Sequence, residues 1–155
     1  MTFTLARTGT GTVHAGLHAL DRPAELVDVD GGCLLPELPI AQAWDTLRAT
    51  WGPGAALLPP GSTLRLTLRS AGEDGVMLVV EGGGTWRDPG ALIERVAGLT
   101  AIWHRPGGAG DPVLIAGDDG LGEPWYGETV AVTPRSFLQT NREVARSLHD
   151  GVFEA

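Results

Sequence analysis

The residues best equipped for chemistry lie in one run near the C-terminus, Ser136-Phe137-Leu138-Gln139-Thr140-Asn141. A Gln amide brings two donors and an acceptor. Pro134 has no N–H to give a ladder, so the strand before the run ends there. Thr140 and Glu143 have the spacing of a capping box, so a helix begins directly after it. Gln139 is thus held between a strand end and a helix N-terminus, where free backbone N–H groups gather. Such a place suits a small polar ligand. An ordinary strand–loop–helix junction would read the same way locally.

The other candidates are weaker. His14 and His18 project from one face of an expected strand, Val13–Ala19. A zinc site needs more ligands than two, so they read as exposed polar-face residues. Asp28 and Asp30 resemble a carboxylate pair, but no His, Ser or third acid is near in sequence, and they read as solvated strand-end acids. Gly82-Gly83-Gly84 is a phosphate loop in richness only. It does not follow the G-x-G-x-x-G pattern opening a helix, and the chain has no lysine for a Walker motif. Cys33 reads as a small buried hydrophobe.

The run Ser136 to Asn141, after a strand ending in Thr-Pro-Arg, resembles the S-F-x-Q-x-N signature of the RNA uracil-5-methyltransferases. The order of features upstream is similar too: Gly16-Leu17, then Val27 to Asp30, then Cys33 followed by Leu-Leu-Pro-Glu-Leu. The resemblance covers most of the chain, and only the Phe-x-Gln-x-Asn segment is specific. It implies a class I S-adenosylmethionine enzyme acting on uridine in rRNA or tRNA. A Cys attacks C6 of uracil, the methyl group goes to C5, and the C5 proton is then removed. Nucleophile and base would both come from a domain outside these residues. Gln139 would contact S-adenosylmethionine. In some members a Cys at the place of Cys33 is the last ligand of an iron–sulfur cluster. The other three ligands are missing here, so this chain alone should not hold one. RNA would be the partner, with no DNA and no membrane.

Net charge is −8 and every basic residue is Arg. Tight RNA binding by this piece alone is therefore not expected, since phosphate neutralisation dominates such affinity. Arg keeps the bidentate type of phosphate contact. Arg65 and Arg69 share the outward face of an expected strand, Ser62–Ser70, and are the local candidates for RNA contact. A solvated sheet face is the other reading. No apolar run approaches the ~20 residues a bilayer requires. One cysteine allows no internal disulfide, which agrees with a cytoplasmic protein.

These residues must be positioned by short elements, because 23 Gly and 11 Pro imply many turns. Thr2–Arg7 and Val13–Ala19 read as a hairpin and Glu25–Val29 as a short strand. Ile40, Ala43, Trp44, Leu47 and Trp51 recur at helical spacing within Pro39–Trp51. Trp44 and Trp51 are then core, or else a platform for a base. Ser62–Ser70 and Val76–Val80 form a central hairpin. A short helix spans Pro89–Ala97, and strands follow at Leu99–His104, Pro112–Ala116 and Thr129–Thr133. The last two are joined by an acidic, Gly-rich connection, and a final helix runs Arg142–Phe153. The fold class is α+β, a mainly antiparallel sheet with two or three packed helices. Residues 1–133 would be a central domain, and 134–155 a linker and first helix leading into a missing S-adenosylmethionine domain. A small non-catalytic RNA- or protein-binding domain is the alternative.

Overall fold

The structure, a computed structural model, describes residues 1–71, 75–136 and 142–153. The elements run β1 (Thr2–Arg7), β2 (Val13–His18), β3 (Leu26–Asp28), α1 (Leu38–Thr50), β4 (Thr63–Ser70), β5 (Val76–Glu81) and α2 (Gly90–Arg95). They continue with β6 (Leu99–Arg105), β7 (Val113–Gly117), β8 (Leu121–Trp125), β9 (Glu128–Val132) and α3 (Arg142–Phe153). Among the described residues, seven strands form one sheet in the order β3-β2-β1-β4-β5-β6-β7, and β8 and β9 form a separate hairpin. Both are mainly antiparallel, so the architecture is α+β as the hydrophobic spacing predicts.

One pairing departs from that pattern. β5 and β6 are parallel, with Leu78 opposite Ile102 and Val80 opposite His104. Parallel neighbours cannot be joined by a tight turn. The stretch between them supplies the crossover, with α2 laid against β6 and β7. α2 is shorter than its spacing predicts. Val96 already takes extended backbone and leads into β6, while its side chain stays buried.

Burial explains the two kinds of strand. β4 alternates because Leu64, Leu66 and Leu68 face the helices while Thr63 and Arg65 face outward. β5 is apolar from Val76 to Val80 because both of its faces are covered there. Val76, Leu78 and Val80 pack into the main core beneath α1 and α2. Met77 and Val79 pack on the other side with Ala101, Leu121 and Val132. The β8–β9 hairpin provides that second cover.

Trp44 centres the main core. Its ring stacks on Phe3 at 3.8 Å between centroids, and its indole N–H donates to the Val29 carbonyl at 3.0 Å. Trp51 meets it edge-on at 6.0 Å. Both tryptophans are buried, so the packing reading of α1 holds and the base-platform reading does not. The Gly82–Gly84 run serves packing as well. A Cβ on Gly83 would lie 2.8 Å from the Pro60 carbonyl, at a φ of +73°. The amides of Gly82 and Gly84 are occupied by the carbonyls of Arg105 and Pro60.

β8 lies in what composition marks as a loop. Pro124 and Gly122 weaken the strand pattern, yet β8 has a partner on one side only, where a missing N–H is tolerated. Leu121 and Glu123 turn inward, and both are buried.

Candidate functional site

A groove of about 730 Å³ opens where the second cover meets the sheet. One wall is Leu35, Pro36 and Ile40, at and before the start of α1. The floor is the end of β4, and the far wall is the β8–β9 hairpin with Ala145 of α3. The lining is largely apolar. Its polar groups include Ser70, whose hydroxyl donates to Glu37 Oε2 at 2.8 Å, and the buried Glu123.

The hairpin's strands are joined by a two-residue turn, Tyr126-Gly127, with φ of +48° and +86°. Positive φ at both central residues is the hairpin-matching geometry, and it is strained for Tyr. The Tyr126 ring compensates by packing on His149 of α3 at 4.5 Å. Its hydroxyl donates to the Asp150 carboxylate. Trp125 meets the same His149 edge-on at 5.5 Å. These contacts join α3 to the hairpin.

The signature begins at the same place. After β9 the chain makes a tight turn over Thr133–Ser136, with the Ser136 amide donating to the Thr133 carbonyl at 3.0 Å. Pro134 takes the second position, which its fixed φ suits. The Thr133 amide donates to Ser136 Oγ at 2.9 Å. Arg69 closes the turn from β4, donating from Nη1 to the Ser136 carbonyl at 2.7 Å and to the Thr133 carbonyl at 3.3 Å. Ser136 borders the groove. Phe137, Leu138, Gln139, Thr140 and Asn141 lie outside the described residues, so the contacts expected of Gln139 do too.

The other expected site residues are scattered. Arg65 is 63% exposed at its side chain and approaches Glu81 at 3.4 Å, while Glu81 also takes Arg105. Arg65 and Arg69 leave the same strand face, but Arg69 is drawn into the turn and Arg65 stays in solvent. Cys33 is a half-buried free thiol. Among the described residues no group of three or more His, Cys, Asp or Glu could hold a metal ion. The residues present therefore do not fit an iron–sulfur cluster. His18 shares a hydrogen bond with Thr4 at 3.0 Å, and His14 is exposed.

Asp28 corrects the solvated-acid reading. It forms a two-pronged pair with Arg48 at 2.9 and 3.1 Å and accepts the Ala15 amide at 2.6 Å. The Arg48 hydrogen bonds hold its carboxyl below the usual carboxylate range against the opposing effect of burial. Arg48 also lies over the Trp44 and Trp51 rings, at 5.7 and 5.3 Å. The spacing from Asp28 to Arg48 is long and crosses a loop, which is why no local pattern announces the pair.

No protein-family model and no curated protein matches this sequence. Among solved structures, the chain is similar to the crystal structure of Pyrococcus abyssi tRNA (uracil-54, C5)-methyltransferase in complex with S-adenosyl-L-homocysteine. The TM-score is 0.65 at 17% identity, over 99% of this chain and 40% of that one. At that identity the likeness shows a shared fold. The chain spans well under half the length of the protein it matches.

Proposed function

We propose that this chain is part of an RNA methyltransferase that transfers a methyl group from S-adenosylmethionine to C5 of uridine in rRNA or tRNA. Residues 1–133 form its central domain, and residues 134–155 lead into the cofactor domain. The observation that carries this reading is the likeness to a tRNA uracil-C5 methyltransferase over 99% of the chain. The resemblance of Ser136–Asn141 to the S-F-x-Q-x-N signature of that family supports it from the sequence.

In this reading the cofactor supplies the methyl group, and the chemistry belongs to a domain beyond these residues. Gln139 would hold the cofactor from the side of this chain. Arg65, exposed beside Glu81, would meet RNA phosphate. Arg69 would act mainly by holding the turn that presents Gln139. Cys33 would ligate iron only if further cysteines were supplied from upstream. No helix among the described residues is long and apolar enough to cross a membrane, and a cytoplasmic site of action accords with an RNA substrate.

The test begins with the full reading frame. The polypeptide it encodes should carry a methyltransferase domain and convert uridine to 5-methyluridine in rRNA or tRNA when given labelled S-adenosylmethionine. In that protein Gln139→Ala should weaken cofactor binding by about 1–3 kcal/mol, the cost of unpairing a buried polar group. A frame without such a domain, or a folded product with affinity for neither RNA nor cofactor, points instead to a non-catalytic binding domain.

A further inference from the structure

A second pocket, of about 450 Å³, opens beyond the carboxyl ends of β5 and β6. That size falls within the ~300–1,000 Å³ of small-ligand sites. The two strands are parallel, so the chain leaves both at the same edge of the sheet and the two loops diverge around a cleft. One loop contributes Gly84, Thr85 and Trp86, the other Pro106, and Ile115 of β7 stands beside them. His104 completes the lining and is 5% exposed. Its Nε2 lies 2.9 Å from the Gly82 carbonyl. A carbonyl oxygen can only accept, so Nε2 carries the proton and Nδ1 is the bare acceptor of the neutral ring. Nδ1 has no partner among the described residues and is not sealed in by them. The ring is also fixed in place. Trp86 meets it edge-on at 5.6 Å, and the Trp86 indole is itself held by donating to the Leu57 carbonyl at 2.8 Å. A buried acceptor on a fixed ring calls for a donor.

We propose that this pocket takes one unstacked nucleobase of the RNA, with a base N–H donating to His104 Nδ1. The inference rests on the functional reading above. Among the described residues that line the pocket none is charged, so the occupant is neutral and a phosphate is the wrong ligand. An aliphatic side chain would leave Nδ1 desolvated and unpaired. A base edge carries donors and acceptors side by side, which suits Nδ1 together with the exposed Thr85 hydroxyl at the rim. An indole offers a donor only. The chain carries a net charge of −8, so it gains little from phosphate, and an uncharged base is the part of RNA it can grip. Bases displayed this way come from single-stranded loops and bulges. No cysteine or carboxylate lines the pocket, so this base is a neighbour of the reacting uridine and not the uridine itself.

Nuclear magnetic resonance titration of residues 1–155 with adenosine and uridine tests this. The Trp86 indole N–H and the Ile115 methyl signals should shift for at least one of them, with a dissociation constant on the order of 1 mM for a single gripped base. N6,N6-dimethyladenosine and 3-methyluridine have methyl groups in place of the donor hydrogens and should bind about fivefold to tenfold more weakly. His104→Phe keeps a ring and removes the acceptor, so that preference should disappear in it. On the wild-type chain the Nδ1 resonance should move with the parent nucleoside and stay put with its methylated form, a readout that does not depend on the variant folding. No shift at Trp86 and Ile115 with either nucleoside overturns the proposal. So does equal affinity for the methylated forms, or a preference that survives in His104→Phe. Tighter binding of N-acetyltryptophanamide than of either nucleoside assigns the pocket to a partner protein's side chain and also overturns it. The titration needs no catalytic domain. RNA methylation by the full-length protein without nucleoside binding here strikes the pocket alone, and a reading frame without a methyltransferase domain strikes the functional reading while the titration still decides the pocket.

Discussion

Arg69 separates a structural role from an RNA-binding one. Replacing Arg69 with Ala removes one hydrogen bond of 2.7 Å and one of 3.3 Å to the carbonyls of Ser136 and Thr133. A bond to a charged donor contributes ~1.5–3 kcal/mol when well formed. The longer bond is near the limit of useful geometry and the site is only partly buried. The expected loss is therefore about 2 kcal/mol, mostly from the Ser136 bond. For a chain of this size that is a fall in Tm of roughly 4–8 °C. Arg69→Lys keeps the charge but cannot reproduce the planar donor geometry, so it should restore only part of the stability. Urea and thermal unfolding measure the loss, and limited proteolysis should report easier cleavage near residues 133–136. RNA binding by the full-length protein supplies the contrast. If Arg69→Ala melts like the wild type but loses RNA affinity, and Arg69→Lys recovers that affinity, then the clasp contributes little and Arg69 is an RNA contact.

Two further outcomes follow from the core and its edge. Trp44→Phe should keep the stack on Phe3 but strand the Val29 carbonyl, at a cost of about 2–3 kcal/mol with the cavity included, read as a lower urea midpoint. Asp28→Asn should cost about 1 kcal/mol near neutral pH, since the pair with Arg48 is screened by solvent. Asp28 has a lowered folded-state pKa, so its contribution is present above the unfolded value near ~3.9 and fades as pH falls through the folded one. The gap between wild type and Asp28→Asn should accordingly close only below about pH 4, and a gap that persists unchanged at lower pH would rule out the ion pair as its source.

What hydrophobic spacing determined was each element's local character. Alternation in 63–70 is enough to define β4 and its buried face, because a strand with one covered face must alternate. Three- and four-residue spacing around Trp44 defines α1 in the same way. The resemblance at Ser136–Asn141 is visible for a different reason, since motif and spacing are properties of the chain itself. Tertiary structure decided everything that depends on distant neighbours. β5 is apolar on both faces because the β8–β9 hairpin covers it, and no local pattern says which element returns to do so. β6 lies parallel to β5 because the chain crosses over through α2, whereas either direction is compatible with the same strand residues. Arg65 and Arg69 are equivalent in sequence, four residues apart on one strand. They part company only because the turn at Thr133–Ser136 folds back onto one of them. Contacts of that kind join residues more than sixty positions apart, and a periodic pattern carries information only over a few.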